Sequence, residues 1–140
     1  AAYLIFAQNP EAALTAAEEA LSIDPAYTAA YLHKAHALLL LGKGEEARSV
    51  LSGADADDPR VVKMQANISL RLQDAAAGLS AAQKLVEMTP EDDEAWSLFG
   101  SASAYLGDTE GAAKAFMQAM KLNPKEKSYK ANLLAVKKMT

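Results

Sequence analysis

Two histidines stand closest to chemistry in this sequence, His33 and His36, set three residues apart among alanines and leucines. On a helix that spacing puts them on neighbouring faces, and imidazole is a common metal ligand. A metal site needs further donors, and no acidic cluster lies near them at a suitable spacing. The pair therefore predicts surface or groove histidines and no metal. The acidic runs Glu18-Glu19, Asp55 to Asp58 and Glu91 to Glu94 lack the glycine spacing of a calcium loop. The second falls at a helix end and the third at a helix start, where carboxylates meet the positive end of the dipole. No Ser-His-Asp order and no phosphate-cradling glycine loop is present. The absence of cysteine excludes disulfides, thiolate zinc sites and thiol catalysis. These residues predict no catalytic group, no cofactor and no enzyme.

The elements that carry them are helical. Alanine occurs in nearly every block of ten, and it is the best helix former and lets helices approach closely. The 140 residues are 51% apolar and 23% charged, with five prolines well separated, which predicts one soluble all-α domain. The longest apolar run, Ala37 to Leu41, is too short to insert in a membrane. The net charge of −4 is uneven: from Lys121 onward six lysines face one glutamate, while the rest holds eight basic and seventeen acidic residues. An acidic body is a poor nucleic-acid surface, and the basic tail reads as a solvated last helix.

Prolines reveal a repeat. Pro25 and Pro59 are 34 residues apart, as are Pro90 and Pro124, whereas Pro59 and Pro90 are 31 apart. Ala20-Leu21-Ser22-Ile23-Asp24-Pro25 nearly superimposes on Ala119-Met120-Lys121-Leu122-Asn123-Pro124. Each proline ends one helix, and the next begins a few residues later. Helices are expected over 1–8, 10–23, 28–42, 45–54, 60–72, 75–88, 92–107, 109–122 and 126–138.

The order Trp96, Phe99-Gly100, Gly107-Asp108, Ala112, Phe116, Ala119, Pro124 resembles a nearly complete tetratricopeptide repeat, lacking only the usual aromatic at Ser103. Tyr31, Ala35, Leu38, Leu41-Gly42, Ala47 and Ala54 follow the same pattern one repeat earlier. The resemblance implies a right-handed superhelical solenoid of antiparallel helix-turn-helix repeats. Its parts would be a partial first repeat over 1–25, a second over 26–59, a shortened third over 60–90, a fourth over 91–124 and a capping helix over 125–140. The three residues missing from the third repeat are expected around Leu72 to Ala75. The chain opens on Ala1-Ala2-Tyr3-Leu4-Ile5-Phe6 without an initiating methionine, which reads as a fragment or a processed product. Trp96, Phe99 and Phe116 are expected to be structural.

The resemblance also implies that the first helix of each repeat lines a concave groove that holds a protein or peptide. The residues placed there are Leu32, His33, His36, Leu39 and Leu40; Lys63, Ala66, Asn67 and Leu70, in less certain register; Glu94, Ser97, Leu98, Ser101 and Tyr105; and Asn132 and Ala135 of the end helix. This surface is small and apolar with a few polar points, and suits an apolar or amphipathic segment. Some family members grip the C-terminal carboxylates of heat-shock chaperones with Lys and Asn in one repeat, Asn in the next, and Lys and Arg in the third. Carried onto the second to fourth repeats, that pattern falls on Leu32, His36, Asn67, Glu94 and Leu98. Only Asn67 keeps its type and Glu94 would repel a carboxylate, so the expectation is a scaffold or adaptor without that clamp. The rival reading is a self-association or spacer element of a larger protein, catalytic or concerned with secretion or assembly, docking through the apolar edge Leu4, Ile5 and Phe6.

Overall fold

In the computed structural model, residues 9–139 are described. They form eight α-helices and no strand: α1 (Pro10–Ile23), α2 (Thr28–Leu40), α3 (Gly44–Leu51), α4 (Pro59–Arg71), α5 (Ala75–Met88), α6 (Asp93–Tyr105), α7 (Thr109–Leu122) and α8 (Lys127–Lys138). The all-α helical repeat expected from the sequence is the fold. The expected helix over 1–8, with the apolar edge it carries, lies outside the described residues.

Short polar side chains start the helices. Asn9 accepts from the Ala12 amide at 3.1 Å, Asp74 from Ala77 at 3.2 Å and Asp108 from Gly111 at 2.9 Å, each satisfying an orphan N–H of the first turn. Three-residue turns join α2 to α3, α4 to α5 and α6 to α7, and their middle residue is left-handed: Gly42 at φ +76°, Gln73 at +61° and Gly107 at +86°. The amide after each returns to a carbonyl in the helix just ended, Lys43 to Leu38, Asp74 to Ser69 and Asp108 to Ser103, at 2.8–2.9 Å. This is the Schellman geometry, for which glycine is the natural residue. Gln73 occupies it with a side chain, a conformation unfavourable by about 1–2 kcal/mol outside glycine.

The connection after each second helix ends in a four-residue turn, which after α1, α5 and α7 is the whole connection and after α3 follows residues 52–54. In three of them proline is the second residue, and the fourth residue's amide donates to the first residue's carbonyl: Tyr27 to Asp24, Asp92 to Thr89 and Glu126 to Asn123. The remaining turn runs Asp55 to Asp58, closes in the same way, and has Ala56 where the others have proline. Pro59 is instead the first residue of α4, where its missing N–H is harmless. Pro59 is thus out of step with the other prolines, and the deficit moves. The α4–α5 turn is full length and α5 has 14 residues, as α1 and α7 do, but α3 has only 8. The three residues expected to be missing around Leu72 to Ala75 are missing from the end of α3, before the Asp55 turn.

The chain forms two compact units, Ala1–Ile68 and Ser69–Thr140. In the first, α2 packs against both α1 and α3. Its core holds Ala13, Ala17, Ala35, Ala47, Leu51, Val61 and Ile68. In the second, α5 packs on α6, α6 on α7 and α7 on α8. Phe116 of α7 fills a hole over Gly100 so closely that a Cβ there would lie 2.9 Å from the ring. Behind it Ala112, Leu133 and Val136 complete an apolar cluster that joins α8 to the repeat before it. A polar tie reinforces that joint. Tyr129 Oη donates to Asp93 Oδ2 at 2.5 Å, and Asn123 Nδ2 donates to the same oxygen at 3.2 Å. Burial first, then the hydrogen bond to Asp93, pushes the Tyr129 phenol well above its ordinary 10.0.

Candidate interaction surface

Counting from the first helical residue puts α2, α4 and α6 in one register. The third, eighth, tenth and eleventh positions are buried in all three: Ala30, Ala35, Ala37 and Leu38; Val61, Ala66, Ile68 and Ser69; Ala95, Gly100, Ala102 and Ser103. Small residues dominate because neighbouring helices pass close to these positions.

Position four carries an aromatic residue in two of the helices. Tyr31 Oη donates to the Pro25 carbonyl and Trp96 Nε1 to the Pro90 carbonyl, both at 2.8 Å. Each bond fastens a first helix to the proline turn that leads into it. In α4 the place is held by Val62, and no proline precedes it at the matching distance. Trp96 also meets Phe99, with ring centroids 6.2 Å apart, and Phe116 is buried. The structural roles expected of all three aromatics are those they have.

The fifth, sixth, ninth and thirteenth positions are left open or half-covered. In α2 these are Leu32, His33, His36 and Leu40; in α6 they are Ser97, Leu98, Ser101 and Tyr105. All eight stand among the residues singled out in the sequence. Leu40 is 47% exposed and Tyr105 74%, which is high for side chains of this type. Partial burial of its ring, with the neighbouring His36, holds the His33 pKa below its ordinary value.

In α4 the open positions are Lys63, Met64, Asn67 and Arg71. Asn67 is exposed, but Ala66, expected on the groove, is fully buried in register with Ala35 and Gly100. Met64 and Arg71 take the places that sequence reading passed over. The missing signal was the true start of α4 at Pro59, from which the same count finds both.

In the second unit two pockets flank Tyr105. One, of about 180 Å³, is lined by Ser101, Tyr105, Phe116, Asn132, Ala135 and Val136, among others. It brings together four of the residues expected on the groove: Ser101 and Tyr105 of α6 with Asn132 and Ala135 of α8. The other, of about 360 Å³, is lined by Leu70, Arg71, Gln73, Ala75 and Tyr105. Among the described residues no three His, Asp or Glu side chains gather as a metal site. No helix among them is long and apolar enough to cross a membrane.

Residues 4–68 and 93–126 each match a family model described as tetratricopeptide repeat. The chain belongs to the tetratricopeptide repeat family. A curated relative, the Hsp70-Hsp90 organizing protein of Triticum aestivum, is 32% identical over 108 residues, 75% of this chain and 19% of that protein. The chain therefore spans about a fifth of the length of the curated relative it matches. Among solved tetratricopeptide structures, the first TPR of Spaghetti (RPAP3) bound to the HSP90 peptide SRMEEVD is similar at a TM-score of 0.75 and 22% identity, over 79% of this chain and 90% of that one. The MamA RS-1 ArsTM double mutant gives 0.86 at 19% identity, over 96% and 78%. YrrB, a TPR protein with an unusual peptide-binding site, gives 0.80 at 22% identity, over 96% and 72%. At these identities the likenesses show a shared fold.

Proposed function

We propose that this chain is a protein-interaction module that holds an apolar or amphipathic partner segment on the open face of its first helices. The observation that carries the proposal is the repeated register: the same four positions stay open or half-covered in α2, α4 and α6 while four others are always buried. Helices formed before binding limit the ordering cost, and their side chains set specificity. Solved structures of the same fold hold peptides, in one case the HSP90 peptide SRMEEVD and in another the HSP70 peptide SGPTIEEVD. In this chain the places compared with that grip are Leu32, His36, Asn67, Glu94 and Leu98. They offer no lysine or arginine, so the segment held here is gripped by its side chains and not by a terminal carboxylate.

Titration of the labelled protein with SRMEEVD, as free acid and as C-terminal amide, and with amphipathic peptides of similar length tests this. Amphipathic peptides are expected to bind, and to bind more weakly to a His36→Glu, Leu98→Glu variant. A strong preference for the free acid of SRMEEVD would overturn the side-chain reading. Unchanged affinity in the double variant would remove the first-helix face from consideration.

A further inference from the structure

Tyr105 projects from the thirteenth position of α6 between two pockets of unlike chemistry, both wholly within the second unit. On one side the floor is apolar, Phe116 and Val136, with Ser101 and Asn132 offering hydrogen bonds at the rim. On the other side Arg71 supplies a guanidinium beside Leu70 and the left-handed Gln73. Arg71 is exposed and has no hydrogen bond or ion pair among the described residues. The acid nearest to it in sequence, Asp74, caps α5 through the Ala77 amide. A guanidinium without an acceptor, at the edge of an otherwise acidic body, is suited to a carboxylate.

We infer that the two pockets read a bipartite signal: an acidic side chain of the partner pairs with Arg71 while an apolar side chain nearby enters the Phe116–Val136 pocket, with Tyr105 between them. The inference rests on the proposal that the first-helix face is the binding surface, and it names the chemistry of the segment held there. The occupant is a peptide segment crossing Tyr105. Because the chain continues past the ring on both sides, the carboxylate comes from Asp or Glu and not from a chain end. An extended segment advances about 3.3 Å per residue, so acidic and apolar residues roughly two to four apart straddle one aromatic ring.

The test is an array of C-terminally amidated decapeptides in which one Glu and one Leu or Phe are placed one to six residues apart, with Gln or Lys replacing Glu in matched sets. Amidation removes the terminal carboxylate, so acidic preference reports side chains alone. Wild-type protein is expected to favour the Glu set by about threefold to tenfold, the range for a charge-assisted hydrogen bond partly open to solvent. Arg71→Glu is expected to abolish that preference and turn it toward Lys. Tyr105→Ala is expected to weaken the whole set. Lys114→Glu makes the same change in net charge at an exposed position of α7 and is expected to leave the preference in place; its paired residue Glu110 lines neither pocket. Equal losses in Arg71→Glu and Lys114→Glu would reduce the effect to overall charge and overturn the inference. So would wild-type binding indifferent to Glu, Gln or Lys, in which case the first-helix proposal still stands if Tyr105→Ala weakens binding. Binding that none of these variants alters, or no binding by any peptide, overturns both. Arg71 and Tyr105 are exposed, so the variants are expected to keep the wild-type circular dichroism.

Discussion

The second and fourth repeats carry the same first helix and very different second helices. In both, an aromatic residue at position four donates to the carbonyl of the preceding turn's proline, and the hairpin turn places a glycine in the left-handed region. The fourth repeat then runs a second helix of 14 residues whose Phe116 presses into Gly100. The second repeat stops after 8 residues, and Gly53, just past the helix end, lies under the Tyr31 ring. A Cβ at Gly53 would meet that ring at 3.3 Å, against 2.9 Å at Gly100. The first helix is constrained on several sides, by small residues at fixed places and by the turn before it. In the second repeat the second helix lacks its last turn, and Gly53 lies against the Tyr31 ring instead.

Breaking this contrast should have its largest effect at Phe116. Truncation to Ala is expected to destabilise the second unit by about 3–5 kcal/mol, read from urea denaturation, because Gly100 offers no side chain to refill the hole. Gly100→Ala should cost about 1–3 kcal/mol through overpacking. Gly53→Ala should cost less than Gly100→Ala, since Tyr31 is half-exposed and has room to shift; an equal or larger loss would show the shortened repeat to be packed as tightly as the full one.

Two smaller effects sharpen the comparison at the joints. The raised Tyr129 phenol means that the unfolded chain loses its proton first, so the stability it contributes is complete below pH 10 and falls as pH rises beyond that. Denaturation at pH 9 and pH 11 should show this decline in the wild type, with a shallower one in Tyr129→Phe. Gln73→Gly is expected to stabilise by about 1 kcal/mol, since glycine enters the left-handed region that Gln73 occupies at φ +61° without penalty. A destabilised variant would mean that the Gln73 side chain contributes packing of its own.

Much of the candidate surface could be read ahead of the structure. Leu32, His33, His36, Leu40, Ser97, Leu98, Ser101 and Tyr105 all lie in stretches where the helix start is marked by a proline turn and the small residues keep step. The third repeat failed on one residue. Pro59 resembles the other prolines in sequence but begins α4, and that displacement put Ala66 on the surface and hid Met64 and Arg71. Local rules do not separate a proline two residues before an N-cap from one at the first helical position, because both are favourable.

Local preference, then, determined the helices, their caps, the left-handed turns and the small-residue register, since each depends on contacts a few residues apart. Tertiary structure decided which turn is equivalent to which, where α3 stops, and that α8 is tied to α6 by Tyr129 and Asp93, 36 residues apart. It also decided that Arg71, Tyr105 and Asn132, on three different helices, line neighbouring pockets. Those pairings depend on how helices pack, and packing follows side-chain volumes meeting across elements, for which the order of residues along the chain carries no local mark.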